Sequence, residues 1–186
     1  MTIKSKTKKI ILITLCSIGA VAILGVAAFL LWWYGAFLPR WITWEEKAGT
    51  MEELSVTLKG RKITVSDGDT VLWESQSDRF VQDLVIKDID RDGVDEMILL
   101  VWKHGSYGKD MPFWEQKNDI ELRQHIFIYK YDPKKAEKVS PRWMSSQILY
   151  EIESISSGTK SLLDVTDRGG TTRTWVWQDF GLKLVK

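Results

Sequence analysis

The sequence predicts an all-β, mostly antiparallel domain carried on one apolar N-terminal helix. Three observations point there. The first 40 of 186 residues hold no Asp or Glu and five basic residues, and the rest of the chain holds the other 21 basic and all 25 acidic residues. The formal charge of +1 is therefore the sum of a basic, apolar head and a mildly acidic body. Beyond residue 54, short runs rich in β-branched and aromatic residues recur between turn signals, and none carries a long 3.6-residue apolar period. This balance excludes a nucleic-acid binder working through a broad basic surface. A disulfide-stapled module is excluded too, because the one cysteine, Cys16, lies in the apolar head.

The head reads as a membrane helix. No Asp, Glu, Lys, Arg or His occurs from Ile10 to Pro39, and the 24 residues from Ile10 to Trp33 would span roughly 36 Å as a helix. A hydrocarbon core of about 30 Å is crossed by that length with some tilt. Lys4, Lys6, Lys8 and Lys9 precede it, and Trp32, Trp33, Tyr34, Trp41 and Trp44 follow it. Lysines favour the cytoplasmic side and Trp and Tyr the headgroup level, so the N-terminus is expected inside and the body outside. Pro39 is expected to stop the helix. A cleaved signal peptide could use Gly25-Val26-Ala27, but the apolar run continues through Phe29–Trp33, which favours retention. Leu15 before Cys16 does not suit a lipoprotein site.

The layout that follows is a basic cytoplasmic tail at 1–9, a transmembrane helix with its aromatic belt at 10–38, a juxtamembrane stalk at 39–53 and a β-domain at 54–186. In the stalk, Trp41 and Trp44 stand three apart, as one helical turn against the bilayer would place them, or as a plain linker would by chance. Strands are expected at 54–58, 62–65, 70–73, 80–87, 96–102, 125–131, 138–143, 148–152, 161–165, 171–177 and 182–185. A faint repeat relates Trp73-Glu74-Ser75 to Trp143-Met144-Ser145, 70 residues on. Each copy is followed by strands around a turn, acidic at 88–93 and serine-rich at 154–158.

The sharpest motif is Asp88-Ile89-Asp90-Arg91-Asp92-Gly93-Val94-Asp95-Glu96. Alternate side chains of a tight turn converge, Gly93 lets the backbone fold back, and a hard cation with six to eight oxygen ligands suits such a set. Leu99 at the twelfth position and the β-type flanks argue against an EF-hand, so Glu96 takes the closing role. Five carboxylates in nine residues repel one another by about 4 kcal/mol per 4 Å pair at an effective dielectric of 20. A calcium ion would relieve that repulsion; a solvated Asp-Gly hairpin turn is the plain alternative.

The segment Phe80–Leu99 resembles an FG-GAP/VCBS-type repeat, in which an Asp-x-Asp-x-Asp-Gly loop binds calcium between two strands of a β-propeller blade. The resemblance implies Asp88, Asp90, Asp92, the Val94 carbonyl and Glu96 as ligands. It also implies two or three propeller-blade-like sheets. About 130 residues cannot supply the four or more blades of a closed propeller, so an open array or completion by a partner is expected.

The polar insert at 103–121 offers Tyr107, Phe113 and Trp114 to a protein or sugar partner, or folds them over the sheet end. His104 and His125 form no metal pattern, Ser106 lacks a nucleophile elbow, and no phosphate loop or zinc signature occurs. A membrane-anchored extracytoplasmic binding or assembly module with a structural calcium loop is the expected function, with a protein partner or a second copy. A small membrane-anchored hydrolase or carbohydrate-active enzyme and an accessory subunit of a membrane complex are the alternatives.

Overall fold

The computed structural model describes residues 3–105 and 120–185. The chain divides into two units, Met1–Pro39 and Arg40–Lys186. In the first, α1 (Ile3–Trp33) contains one stretch, Ile11–Trp33, long and apolar enough to cross a membrane. Its side chains are exposed from Ile11 to Leu31, as in a helix apolar on every side. The helix ends earlier than Pro39. Gly35 adopts φ 70°, its N–H bonds to the Trp32 carbonyl at 3.1 Å, and the Ala36 N–H bonds to that of Leu31 at 2.9 Å. This is a Schellman cap, which glycine enters without a Cβ penalty.

Among the described residues, the second unit forms three four-stranded antiparallel meanders. The first sheet comprises β1 (Lys47–Met51), β2 (Leu54–Lys59), β3 (Lys62–Asp67) and β4 (Thr70–Glu74). The second comprises β5 (Arg79–Lys87), β6 (Glu96–His104), β7 (Leu122–Tyr131) and β8 (Val139–Met144). The third comprises β9 (Ile152–Ser157), β10 (Leu162–Asp167), β11 (Thr172–Gln178) and β12 (Gly181–Leu184). None closes into a ring, as expected of blade-like sheets in an open array. Tight turns make the meanders possible: Gly60 and Arg61 take φ 57° and 68° between β2 and β3, matching the strand twist.

The inner strands of the middle sheet are buried on both faces, which is why Met97–Trp102 of β6 reads as an unbroken apolar run. Met97, Leu99, Val101, Phe127 and Tyr129 pack against Met51, Val56, Leu58, Ile63 and Val65 of the first sheet. Ile98, Leu100, Ile126 and Ile128 pack against Ile152, Ile155, Leu163 and Val165 of the third. The outer sheets alternate instead. Their far faces carry Ser55, Thr57, Thr64 and Ser66 on one side and Ser154, Ser156, Thr166, Thr172 and Thr174 on the other. Hydrophilic outer faces end the stack at three sheets.

A polar seam joins the first strands of the three sheets. β5 bulges between Val81 and Asp83, leaving Gln82 out of the ladder. Gln82 Oε1 accepts from Trp102 Nε1 and Gln124 Nε2, each at 2.8 Å, and its Nε2 donates to the Ile152 and Glu153 carbonyls. Asp83, 1% exposed, accepts from the Lys47 ammonium, its neighbour Leu84 N–H and, at 3.0 Å, Ile155 N–H. Lys47 meets Asp83, Gly49 abuts Ile86, and Gln82, Asp83 and Lys87 meet Glu153 and Ile155 of β9 and Gly158 just past it, at rising residue numbers. β1, β5 and β9 therefore run the same way, and their following hairpins lie at one end of the domain.

Several sequence expectations change. The stalk at 39–53 contributes β1, paired along its whole length with β2. Trp41 and Trp44 form no helical turn: Trp41 packs edge-on to Trp102 at 6.1 Å with Arg168 over its ring, and Trp44 lies under Arg61. The run 148–152 is a connection, with Ile148 and Tyr150 covering the core, and the strand begins at Ile152. Residues 154–157, expected in a turn, belong to β9.

The faint repeat has a structural counterpart. The Ser75 N–H bonds to the Ile63 carbonyl and its Oγ accepts from Ile63 N–H, both at 3.0 Å. The Ser145 N–H and Oγ do the same to Ile126, at 3.0 and 2.9 Å. Each serine clips the end of a fourth strand to its third. In the last sheet Val185 N–H keeps the backbone bond to Thr174, without a hydroxyl.

Candidate metal centre

The hairpin between β5 and β6 is set by its sequence. Asp88 accepts the N–H groups of Arg91 at 2.7 Å and Gly93 at 3.0 Å, Asp90 that of Asp92 at 3.2 Å and Asp92 that of Val94 at 3.1 Å. Short acidic side chains thus replace the missing ladder bonds and hold Arg91 (φ 66°) and Gly93 (φ 87°) in left-handed conformations. Ile89, 1% exposed, roots the loop in the core shared by the second and third sheets.

One carboxylate oxygen from each of Asp88, Asp90 and Glu96 lies within 4.8 Å of the other two. Oxygens on opposite sides of a calcium ion stand about 4.6–5.2 Å apart at its usual ligand distances, so the set fits a shared divalent cation. Glu96 is fully buried; Oε2 accepts from Ile89 N–H at 3.1 Å, and Oε1 receives no hydrogen bond. The Lys130 ammonium stands 3.5 Å from that oxygen, an ion-pair distance. Burial pushes the Glu96 carboxyl up to about 7; Ile89 N–H and Lys130 oppose the shift, Asp90 and Asp92 add to it. A buried carboxylate with an unserved oxygen, facing two more, is an arrangement a hard cation completes.

Asp92 stands apart from this trio. The Asp92 side chain turns to Lys130, whose hydrogen bond holds its carboxyl below the usual range. Asp90 meets Arg142 Nε at 3.2 Å. Burial lowers Lys130, yet Asp92, Asp90 and Glu96 together leave it raised. Lys130 and Arg142 lie 38 and 52 residues along the chain from their acidic partners, and nothing local in the sequence marks them. Only the strand order, which lays β7 beside β6 and β8 beside β7, brings them to the loop.

Tyr107, Phe113 and Trp114 lie outside the described residues. His104 Nδ1 meets the Ile120 carbonyl at 3.0 Å. His125 is buried against Phe127, with Nδ1 on the Ser145 carbonyl. No family model, curated protein or solved structure matches the chain.

Proposed function

We propose that the protein is a membrane-tethered extracytoplasmic binding or assembly module whose 88–96 hairpin takes a structural divalent cation, calcium by the hardness of its ligands. The buried Glu96 carboxylate, with one oxygen unserved and Asp88 and Asp90 beside it, carries this reading. The ion would tie the hairpin to the buried end of β6 and fix the neighbouring loops; it would do no chemistry. Asp92, the Val94 carbonyl and water complete the ligand set once Lys130 withdraws. The three meanders, with the acidic loop at the first hairpin of the middle one, support kinship with FG-GAP/VCBS repeats. The lysines before α1 and the aromatic residues after it favour a retained anchor with its N-terminus in the cytoplasm.

The full chain in detergent should gain about 1.4 kcal/mol at calcium ten times above Kd, or a Tm rise of roughly 3–6 °C. Asp90→Asn should abolish the rise, and an unchanged Tm in wild-type protein would sink the metal reading. For topology, protease added to intact cells should remove residues 40–186 and spare an N-terminal tag. A protected domain refutes the orientation, and a mature protein lacking residues 1–27 refutes the anchor.

A further inference from the structure

The two cations that neutralise the acidic hairpin also line a cavity of about 300 Å³ on its flank, with Asp92, Asp132, Lys135 and Ser140. Arg142 meets Asp90 through Nε alone, so neither of its terminal amino groups is hydrogen-bonded among the described residues. Its guanidinium is held by stacking at 5.2 Å over the Trp177 ring. Lys135 is in no ion pair among the described residues. Lys130 is committed to Asp92 and lies near Glu96. One fork of donors, one unpaired ammonium, a hydroxyl and one occupied ammonium thus share a single space with the carboxylates of Asp92 and Asp132.

We propose that this cavity binds a small phosphomonoester anion and that cation entry at the hairpin switches it on. The inference rests on the metal reading above. A divalent ion on Asp88, Asp90 and Glu96 that also draws in Asp92 takes over the carboxylates that hold Lys130 and the Arg142 Nε. Both side chains keep their positions on β7 and β8, lose their counter-charges and turn that charge toward the cavity. A phosphate suits the lining: Arg142 offers a planar fork for two oxygens, Lys130 and Lys135 act as point charges, and the Ser140 hydroxyl can donate. Without the metal, the acids on one wall repel the same anion. A carboxylate has fewer oxygens and half the charge, so it gains less from three cations.

The two sites should be coupled reciprocally, since a cation and an anion that share the same intervening charges must change each other's affinity by one factor. Calorimetry on the full chain in detergent, with O-phosphoserine as the probe, tests this. The Kd for phosphoserine should tighten at least roughly fivefold at saturating calcium, and the Kd for calcium by the same factor at saturating phosphoserine. L-serine should give no heat. Arg142→Met should lose phosphoserine binding while still binding calcium. Lys135→Met, on an exposed turn whose change leaves the core alone, should weaken phosphoserine severalfold. Calcium binding with a phosphoserine affinity indifferent to calcium, or indifferent to both variants, overturns this inference alone. Failure of calcium itself to bind overturns the metal reading and this inference with it.

Discussion

Residues 88–95 and 158–161 occupy the same place in successive sheets, each joining the first strand to the second. The first hairpin holds four aspartates and is closed by Glu96; the second is Gly-Thr-Lys-Ser. Acids are gone from the second, yet a cation sits there. The Lys87 ammonium donates to the carbonyls of Gly158 and, at 3.2 Å, Leu162, with Asp164 nearby. A lysine reaching across from β5 does for the third sheet what the acidic trio invites a free ion to do for the second. Convergent oxygens at a hairpin mouth need positive charge, and the chain supplies it either from solvent or from its own side chains. Lys130 beside Asp92 shows the same substitution half made: a tethered cation present, one buried oxygen still unserved.

Both hairpins hang on one buried carboxylate. Asp83 accepts from Lys47, Leu84 N–H and Ile155 N–H while almost fully buried, so it joins β5 to β9 above both loops. Asp83→Ala strands those donors and should cost about 3–5 kcal/mol. Denaturant unfolding of the full chain should show it, and a loss under about 1 kcal/mol would mean the seam is not what aligns the two hairpins.

Next is Glu96, where the hairpins differ most. Its carboxyl is raised from 4.5 to about 7 in the folded protein. A raised acid favours the protonated folded form, so its stabilising contribution is complete below pH 4.5 and lost as pH rises through 7. The metal-free protein should therefore lose roughly 2–3 kcal/mol between those limits, and calcium should restore it at the upper end. Glu96→Gln should flatten that slope and remove the calcium response. A wild-type stability flat across pH 4.5–7 in chelator would contradict the burial of a charged Glu96.

Lys87→Met probes the other hairpin. Two carbonyls lose their donor, and the expected cost is about 1–2 kcal/mol. Calcium should not rescue the variant, because two carbonyls with the single carboxylate of Asp164 nearby offer a divalent ion far less charge than the acidic trio. Rescue by calcium would show that the third-sheet hairpin retains a metal site.

What was legible in the sequence follows the same divide between local and distant. The acidic hairpin could be read because its ligands, its glycine and its turn bonds fall within nine consecutive residues. Lys130 and Arg142 could not, since they enter by strand pairing. β1 was hidden because Lys-Ala-Gly-Thr-Met carries no β-branched alternation; Gly49 is there for room, as a Cβ would stand 2.8 Å from Ile86 Cδ1. The apolar run 148–152 misled in the opposite direction: a connecting segment that covers a core is as greasy as a strand.

The smallest expected effect tests whether the sheets are true repeats. Trp73-x-Ser75 and Trp143-x-Ser145 match in only two positions, which chance could supply. The structure adds a stricter criterion, because both hydroxyls accept from an isoleucine N–H on the third strand of their own sheet. Equivalent bonds in equivalent places should cost alike. Ser75→Ala and Ser145→Ala should each lose about 1 kcal/mol by denaturant unfolding, and the double variant should lose their sum, since the two clips lie in different sheets and share no partner. Because the N–H of Ile63 is left unserved in one variant and that of Ile126 in the other, neither loss depends on calcium. Unequal costs, with one near zero, would reduce the Trp-x-Ser match to coincidence and leave only the strand order to relate the hairpin at 88–95 to that at 158–161.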